Sequence, residues 1–196
     1  MTVNLDFYFD FGSPTAYLAY KRLNQLQAQY DLNINYMPIL LGGIFKAAEN
    51  TSPVAVPAKG RYMLEHDLPR FARRYAVPLN FNRHFPLNTL NLMRGAIAAD
   101  RLACRDAYLD AVFTAVWVDG KNMGEPEVVT AALTKSGLDA AALVELSQDP
   151  EVKAELITRT QAAVERGLFG APTMFIGDEM FFGQDRLDFV EEILQA

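Results

Sequence analysis

The sequence predicts an α/β fold in which a β-α-β unit at the start and a β-β-α unit at the end enclose a long helical segment. Three patterns indicate this arrangement. Residues 3–10 alternate between apolar and other side chains, as in a strand. Residues 14–29 carry apolar side chains at helical spacing. Two short apolar runs within residues 173–182 are separated by Gly177-Asp178, which predicts a hairpin.

The opening unit is expected to form a parallel strand pair. In the first strand the apolar positions alternate with Asn4, Asp6, Tyr8 and Asp10. The helix over residues 14–29 leads to a second strand over residues 33–39, which Pro38 and a turn at Leu41-Gly42-Gly43 end. A strand, a helix and a strand in succession favour parallel pairing through a right-handed crossover.

The middle of the chain is predicted to be helical almost throughout. Helices are expected over residues 58–75, 87–100 and 105–116, from near Pro126, from near Leu138, and from Asp149-Pro150 to about Arg166. After the hairpin, residues 184–195 predict a closing helix. This plan is a thioredoxin-type frame with a large all-helical insertion. The frame is expected to comprise residues 1–42 and 168–196, and the insertion residues 43–167.

The composition is that of a globular protein and excludes several classes of function. The 196 residues are 51% hydrophobic, so they can bury a large core. A formal net charge of −6 argues against partners such as nucleic acid or an anionic membrane, and no window has the apolar length of a membrane span. One cysteine, Cys104, rules out an internal disulfide and a Cys-x-x-Cys redox pair, and two separate histidines predict no metal site. The N-terminal residues do not resemble a signal peptide, so we expect a reducing, cytoplasmic location.

The segment around Ser13 carries the most informative motif. An apolar strand stops at Gly12, and a helix is predicted to begin with Ser13 as its N-cap and Pro14 in its first turn. A hydroxyl in this position lies beside unpaired backbone N–H groups at the positive end of the helix dipole, where an anion such as a thiolate can bind. A plain capping role also explains Ser13. No histidine lies nearby in sequence, so a serine-nucleophile triad is not indicated.

A second motif lies near the other end of the chain, at Phe169-Gly170-Ala171-Pro172-Thr173. A proline directly before an apolar strand fits a cis peptide bond, although an ordinary trans proline in a turn stays open. A cis bond would present the backbone N–H and C=O of Ala171 sideways. A peptide-like ligand could then pair with them in the manner of a strand.

Two further segments contain residues that could bind a ligand. Free N–H groups at Gln184 and Asp185, at the start of the last helix, could bind a carboxylate, and the Asp185 side chain could offset an ammonium group or serve only as an N-cap. Three basic residues lie close together in this acidic chain: Lys46, Lys59 and Arg61. They could bind an anion or simply lie on solvated helix faces. Asn50 could equally hold its own backbone beside a turn.

These motifs follow one another in a characteristic order: Asp-Phe-Gly-Ser-Pro-x-x-Tyr-Leu-Ala, Phe-Lys-x-x-x-Asn, Pro-x-Lys-Gly-x-Tyr, Phe-Gly-Ala-Pro-Thr and Gly-x-Asp-Arg. The series resembles the 2-hydroxychromene-2-carboxylate isomerase family, which shares its fold with kappa-class glutathione transferases. The resemblance extends from Val3 to Leu194. It implies a thioredoxin-like fold of the DsbA type with a helical insertion, and a serine in place of the redox cysteine.

The resemblance implies glutathione as the cofactor. Ser13 matches the family's catalytic serine, whose hydroxyl binds the glutathione sulfur and favours its thiolate. Ala171, just before Pro172, would pair with the cysteinyl backbone of glutathione. Gln184 and Asp185 would hold its γ-glutamyl end.

Other positions follow from the same resemblance. Asn50 and Lys59 match residues that line the bound tripeptide in the kappa class, and Phe45 and Lys46 are expected to face the second substrate. That substrate would be a small aromatic or electrophilic compound. Relatives are dimers, so a homodimer is expected, and helices with broad apolar faces in the insertion suit such a contact.

The implied activity is the interconversion of 2-hydroxychromene-2-carboxylate and trans-o-hydroxybenzylidenepyruvate in the degradation of naphthalene-type aromatic compounds. A kappa-like transferase or peroxidase acting on another electrophile would use the same anion site, so the site alone does not distinguish these activities. A third alternative is a non-catalytic binding module of thioredoxin fold in which Ser13 is purely structural.

Overall fold

In a computed structural model that describes residues 2–195, strands and helices follow one another largely as predicted. The elements are β1 (Val3–Phe9), α1 (Pro14–Gln27), β2 (Leu32–Pro38), α2 (Leu41–Ala47), α3 (Pro57–Tyr62), α4 (Leu68–Arg74), α5 (Leu90–Arg101), α6 (Arg105–Trp117), α7 (Pro126–Lys135), α8 (Ala140–Ser147), α9 (Pro150–Glu165), β3 (Thr173–Ile176), β4 (Glu179–Phe182) and α10 (Leu187–Gln195). A π-helical turn joins α3 to α4, and short 3-10 turns occupy Pro53–Ala55 and Gln184–Arg186.

A four-stranded sheet with the order β2-β1-β3-β4 positions the start of α1. β1 pairs with β2 in parallel and with β3 antiparallel, so Phe7 lies opposite Tyr36 on one side and Met174 on the other. β3 and β4 form the antiparallel hairpin that the Gly177-Asp178 signal predicts. The predicted fold class, a thioredoxin-like sheet with helices inserted between its two halves, is confirmed.

Helices cover both faces of the sheet. Phe7 and Phe9 of β1 belong to the main core, which includes residues of α1, α5, α6 and α10. Tyr8 faces the other way and packs in a second cluster with Ile44 of α2 and Ala163 of α9. The side chains that alternate with the apolar residues of β1 are therefore not all exposed, and Tyr8 and Asp10 are buried. The helix α9, which belongs to the predicted insertion, lies against the sheet of the predicted frame. The division into a frame and an insertion at residues 43–167 stays a prediction.

The helical middle of the chain also packs against the loop that leads into α1. The indole N–H of Trp117, at the end of α6, donates to the C=O of Phe11 at 2.7 Å. The rings of Phe11 and Phe113 lie 4.7 Å apart, and Phe113 stacks on Tyr20 of α1 at 4.9 Å. These contacts connect α6 to the turn between β1 and α1 and to α1 itself.

Two predictions of local structure are wrong. Leu41-Gly42-Gly43 is the first turn of α2 and not the turn that ends the second strand. Gly43 permits a close approach of α2 to α9, since a Cβ atom there would lie 3.1 Å from Cγ2 of Thr160. The uninterrupted helix predicted over residues 58–75 contains the π-helical turn Met63–Asp67. Pro69 explains it, because proline has no N–H to donate to a carbonyl of the preceding turn.

A third boundary differs because of a distant contact. The helix predicted from Leu87 begins at Leu90, with Thr89 as the preceding residue. The Thr89 hydroxyl does not cap the helix but donates to the carboxylate of Asp10 at 2.7 Å. The Asn88 side chain accepts from the N–H of Leu90 at 3.1 Å instead.

The Asp10 carboxylate ties three segments together at the end of β1. Its Oδ1 accepts from the N–H of Gly12 at 2.9 Å and from the hydroxyl of Thr89. Its Oδ2 accepts from the N–H of Leu41 at 2.9 Å. Burial raises the pKa of Asp10 above its ordinary value, while these three hydrogen bonds act in the opposite direction.

Gly95 marks a close contact between α5 and α6, and we expect Gly95→Ala to be destabilising. An added Cβ atom would lie 2.0 Å from Oη of Tyr108, whose hydroxyl donates to the buried C=O of Leu92 at 2.9 Å. Because the Tyr108 ring must move, the free energy of unfolding should fall by about 1–3 kcal/mol. Gly42→Ala in α2 is the matched control, since nothing lies within 4 Å of its added Cβ. Urea unfolding measures both variants, and equal stability of Gly95→Ala and the control would contradict this prediction.

The buried carboxylate predicts that the stability difference between the wild type and Asp10→Asn depends on pH. Because the pKa of Asp10 is raised in the folded chain, folding favours the protonated form. The contribution of this protonation to the free energy of unfolding is complete below the pKa of the unfolded chain, about 3.9. It is lost as pH rises through the pKa of Asp10 in the folded chain. Asparagine does not titrate, so the stability advantage of the wild type over the variant should fall as pH rises above about 4. Denaturant unfolding at several pH values measures the difference, and an advantage that grows with pH would contradict the raised pKa.

Candidate active site

Ser13 lies where the chain turns from β1 into α1. Its backbone is extended, with φ −99° and ψ 114°, and its C=O accepts from the N–H of Tyr17 at 3.1 Å. Its Oγ accepts from the N–H of Ala16 at 3.1 Å. The predicted N-cap is therefore confirmed. Ser13 is only 4% exposed. Its hydroxyl is therefore largely shielded from solvent at the N-terminus of a 14-residue helix.

The fold brings the two motifs from opposite ends of the sequence into contact. The Ser13 hydroxyl donates to the C=O of Ala171 at 3.1 Å, across 158 residues of sequence. The Ala171–Pro172 peptide bond is cis, the form that the sequence left open beside trans. Oγ1 of Thr15 lies 2.9 Å from Oγ of Ser13 and 3.5 Å from the same carbonyl. The sequence patterns did not indicate Thr15. A hydroxyl two positions after a predicted N-cap is the signal that would have found it.

A cavity of about 520 Å³ opens in front of these groups. Its walls come from the start of α1, from residues 41–68, and from residues 169–172 and 182–185, together with Phe85. Most of the predicted site residues line it: Ser13, Phe45, Asn50, Lys59, Ala171, Pro172, Gln184 and Asp185. Lys46 is exposed on α2 and is not among the lining residues, and the same holds for Arg61 on α3. The position of Lys46 therefore does not support contact with a second substrate in this cavity.

Asn50 connects two walls of the cavity. Its side-chain N–H donates to the C=O of Phe169 at 2.8 Å, and its Oδ1 accepts from the N–H of Thr51 at 2.8 Å. The possibility that Asn50 holds its own backbone is thus what the structure shows. One of the two amide N–H donors of Asn50 is used inside the protein. Asn50 would therefore influence a ligand partly by fixing the position of the cavity wall at Phe169.

The segment from Gly183 to Arg186 forms the wall beside β4. Gly183 has φ +102°, and a Cβ atom there would lie 2.5 Å from Oδ1 of Asp185, so only glycine fits. The Asp185 carboxylate pairs with Arg186, and the C=O of Gln184 accepts from the hydroxyl of Tyr75 at 2.6 Å. Within residues 2–195, the backbone N–H groups of Gln184 and Asp185 donate to no protein group.

The cavity combines few charges with a large apolar surface. Among the lining residues in the described part of the chain, Lys59 is the single cation, and the acidic residues are Glu49, Asp67 and Asp185. Apolar lining is supplied by Leu41, Phe45, Val54, Val56, Met63, Leu68, Phe85, Phe169 and Phe182. Hydroxyls and backbone N–H groups therefore provide most of the donors for an anion, and the apolar residues suit an organic compound.

Residues with potential chemistry outside the cavity show no such arrangement. Cys104 directly precedes α6, and neither it nor His66 or His84 lines the cavity. Burial raises the pKa of the Cys104 thiol, which makes it a poorer nucleophile. Over residues 2–195 no cluster of three or more His, Cys, Asp or Glu side chains could hold a metal ion. In the same range, every helix is too short or too polar to span a bilayer.

Comparisons with known proteins agree with this geometry. The family model of the DSBA-like thioredoxin domain matches residues 4–195. The chain is 36% identical over 193 residues to the 2-hydroxychromene-2-carboxylate isomerase of Pseudomonas sp. (strain C18), covering 97% of this chain and 90% of that protein. It is 28% identical over 213 residues to glutathione S-transferase kappa 1 of Homo sapiens, covering 97% and 90%. A solved structure of a 2-hydroxychromene-2-carboxylate isomerase superposes with a TM-score of 0.88 at 36% identity, over 98% of this chain and 94% of that one. The chain is therefore an enzyme of the 2-hydroxychromene-2-carboxylate isomerase family, with the DsbA-like thioredoxin fold.

Proposed function

We propose that this enzyme is a glutathione-dependent isomerase that interconverts 2-hydroxychromene-2-carboxylate and trans-o-hydroxybenzylidenepyruvate in the degradation of naphthalene-type aromatic compounds. The observation that carries the proposal is the buried Ser13 hydroxyl at the N-terminus of α1, which faces Ala171 in a cavity of about 520 Å³. Relatives named for this activity, at 36% identity over nearly the whole chain, support it.

The cavity fits a peptide-like cofactor. The N–H of Ala171 donates to no protein group within residues 2–195, so it is available to a ligand backbone. The free N–H groups of Gln184 and Asp185 would bind the γ-glutamyl carboxylate, and the Asp185 side chain would offset the neighbouring ammonium group. Lys59 would hold the glycine carboxylate. These four residues would thus bind the two ends and the centre of glutathione.

Ser13 would favour the anionic form of the cofactor's sulfur. Bound glutathione would supply a thiolate whose addition to the conjugated side chain of the substrate turns the double bond into a rotatable single bond and whose departure restores it. The Ser13 hydroxyl would donate a hydrogen bond to that sulfur, and the positive end of the α1 dipole would stabilise the negative charge. A free thiol has a pKa of about 8.5, and helix N-termini lower such values. Ser13 would therefore increase the fraction of thiolate at neutral pH.

Kappa-like transferase or peroxidase activity toward another electrophile is the second candidate. One observation favours it: the only cation found in the cavity lining, for the part of the chain described, is Lys59. If Lys59 holds the glycine carboxylate, a substrate carboxylate would have to compete for it, whereas an uncharged electrophile would not. The predicted homodimer and cytoplasmic location rest on the resemblance to the family and on sequence composition.

The first test replaces Ser13 and supplies the proposed substrate. Ser13→Ala should still bind glutathione but should isomerise 2-hydroxychromene-2-carboxylate about 10²-fold more slowly, because one donor to the developing charge is lost. Calorimetry measures binding and the absorbance of the substrate measures turnover, with and without glutathione.

Two further variants keep this test interpretable. Ser13→Gly retains most of the helix-capping stability that alanine removes, so it separates a chemical effect from a folding effect. Ser136→Ala, an exposed serine after α7, is the control and should behave as the wild type. Full turnover by Ser13→Ala, or turnover without glutathione, would contradict the proposal. Turnover of an uncharged electrophile but not of the chromene would support the transferase instead.

A second test concerns the single lysine of the cavity. Lys59→Met should weaken glutathione binding by about two- to fivefold, the range for an exposed ion pair, and the loss should shrink at high salt. Arg61→Met changes an exposed cation two residues away that does not line the cavity, so its affinity should equal that of the wild type. Calorimetry at two salt concentrations measures both. Equal losses in the two variants would mean that general charge, and not contact with Lys59, attracts the ligand.

A further inference from the structure

We propose that Thr15 is a positioning residue for Ser13: its hydroxyl donates to Oγ of Ser13, which leaves the single O–H of Ser13 free to donate a hydrogen bond to an anionic sulfur. The inference rests on the proposed function, since it concerns the sulfur of bound glutathione. It assigns a role to a residue that lines the cavity but has no charge of its own.

The hydrogen-bond inventory around Ser13 leaves one contact without a fixed direction. A serine hydroxyl has one proton to donate and two lone pairs to accept with. The N–H of Ala16 can only donate to Oγ, at 3.1 Å, and the C=O of Ala171 can only accept, at 3.1 Å. The contact to Oγ1 of Thr15, at 2.9 Å, is the shortest of the three, and either hydroxyl could donate in it.

Distances decide the direction of that contact. If Ser13 donated to Thr15, the C=O of Ala171 would depend on the Thr15 hydroxyl, which is 3.5 Å away, at the limit of a hydrogen bond. If Thr15 donates to Ser13, Ser13 donates to Ala171 at 3.1 Å and every group has a partner at a normal distance. The second arrangement satisfies the network better, so Ser13 accepts two hydrogen bonds and donates one.

The same arrangement suits a bound ligand. When the Ser13 proton turns to a sulfur anion, the C=O of Ala171 is released and can accept from the backbone of a peptide-like ligand, beside the free Ala171 N–H. Thr15 and the N–H of Ala16 would continue to donate to Oγ of Ser13. A hydroxyl that accepts two hydrogen bonds is a stronger donor, because bonds in a chain polarise one another. Thr15 would therefore strengthen the hydrogen bond to the sulfur without touching it.

Local structure holds Thr15 in position. It is the second residue of α1 and follows Pro14, whose ring fixes its own backbone torsion at the start of the helix. Threonine is branched at Cβ, which limits the rotation of its side chain. The residue is half-buried and lines the cavity.

The test measures the pKa of the bound glutathione thiol in Thr15 variants. Thr15→Val keeps the shape but removes the hydroxyl, and the thiol pKa should rise by about 0.5 to 1 pH unit, which is about a three- to tenfold smaller ratio of thiolate to thiol. Thr15→Ser should restore the wild-type value. Thr15→Ala removes the same hydroxyl with less bulk and should match Thr15→Val, so the test survives if valine disturbs the fold. Thiolate absorbance over a pH series gives the pKa, and calorimetry confirms that glutathione is bound.

A double variant separates positioning from direct contact with the sulfur. If Thr15 acts through Ser13, then Thr15→Val in the Ser13→Ala background should leave the thiol pKa unchanged relative to Ser13→Ala alone. Thr130→Val, which removes an exposed hydroxyl on α7, is the control and should behave as the wild type.

The possible failures have different meanings. Shifts that add in the double variant would overturn the positioning role in favour of direct contact. A thiol pKa that responds to Ser13→Ala but not to Thr15→Val would overturn this inference and leave the proposed function standing. A wild type that binds no glutathione would overturn the proposed function, and this inference with it.

Discussion

The buried carboxylate of Asp10 is the constraint on which the geometry of the site depends. Its three donors belong to the loop before α1, to the first turn of α2 and to the residue before α5. Asp10 is 3% exposed, so loss of the Leu41 N–H would leave Oδ2 without a donor and away from water, at a cost of about 1–3 kcal/mol. The loop that carries Ser13 is therefore fixed by hydrogen bonds at two points. Asp10 accepts from the N–H of Gly12, and the indole N–H of Trp117 donates to the C=O of Phe11. A hydroxyl on a loop fixed in this way has little freedom to move away from its partners.

This site offers an anion short-range hydrogen-bond donors more than positive charge. The chain is acidic, with a formal net charge of −6, and three acidic side chains share the cavity lining with Lys59. Hydroxyls at Ser13 and Thr15 and backbone N–H groups at Ala171, Gln184 and Asp185 supply the donors. Such donors act over hydrogen-bond distances and salt screens them little, whereas long-range attraction of an anion by this protein would be weak. Selection of the proposed glutathione would then depend on the fit of its backbone and of its thiol.

Local signals predicted most elements because each depends on residues close together in sequence. Asp149 accepts from the N–H of Glu151 at 2.7 Å, and α9 begins at Pro150 as its N-cap and proline signal indicated. The hairpin and the Ser13 N-cap are local in the same sense. The wrong predictions have two causes: contacts with residues distant in sequence, and a proline that cannot donate a hydrogen bond to the preceding helical turn. The first turn of α2 depends on Asp10 and on the closeness of Thr160, and the π-helical turn depends on Pro69.

By itself, the sequence determined the kind of site: a hydroxyl capping a helix, a proline before a strand, and a set of motifs in the order of one enzyme family. Only the tertiary structure decided which groups meet. Ser13 and Ala171 are 158 residues apart, yet their atoms lie 3.1 Å from each other. The structure also placed Lys46 outside the cavity and directed the amide of Asn50 to Phe169. The physical reason is that capping and periodicity act within a few residues, whereas distances between remote side chains depend on how the sheet and helices pack.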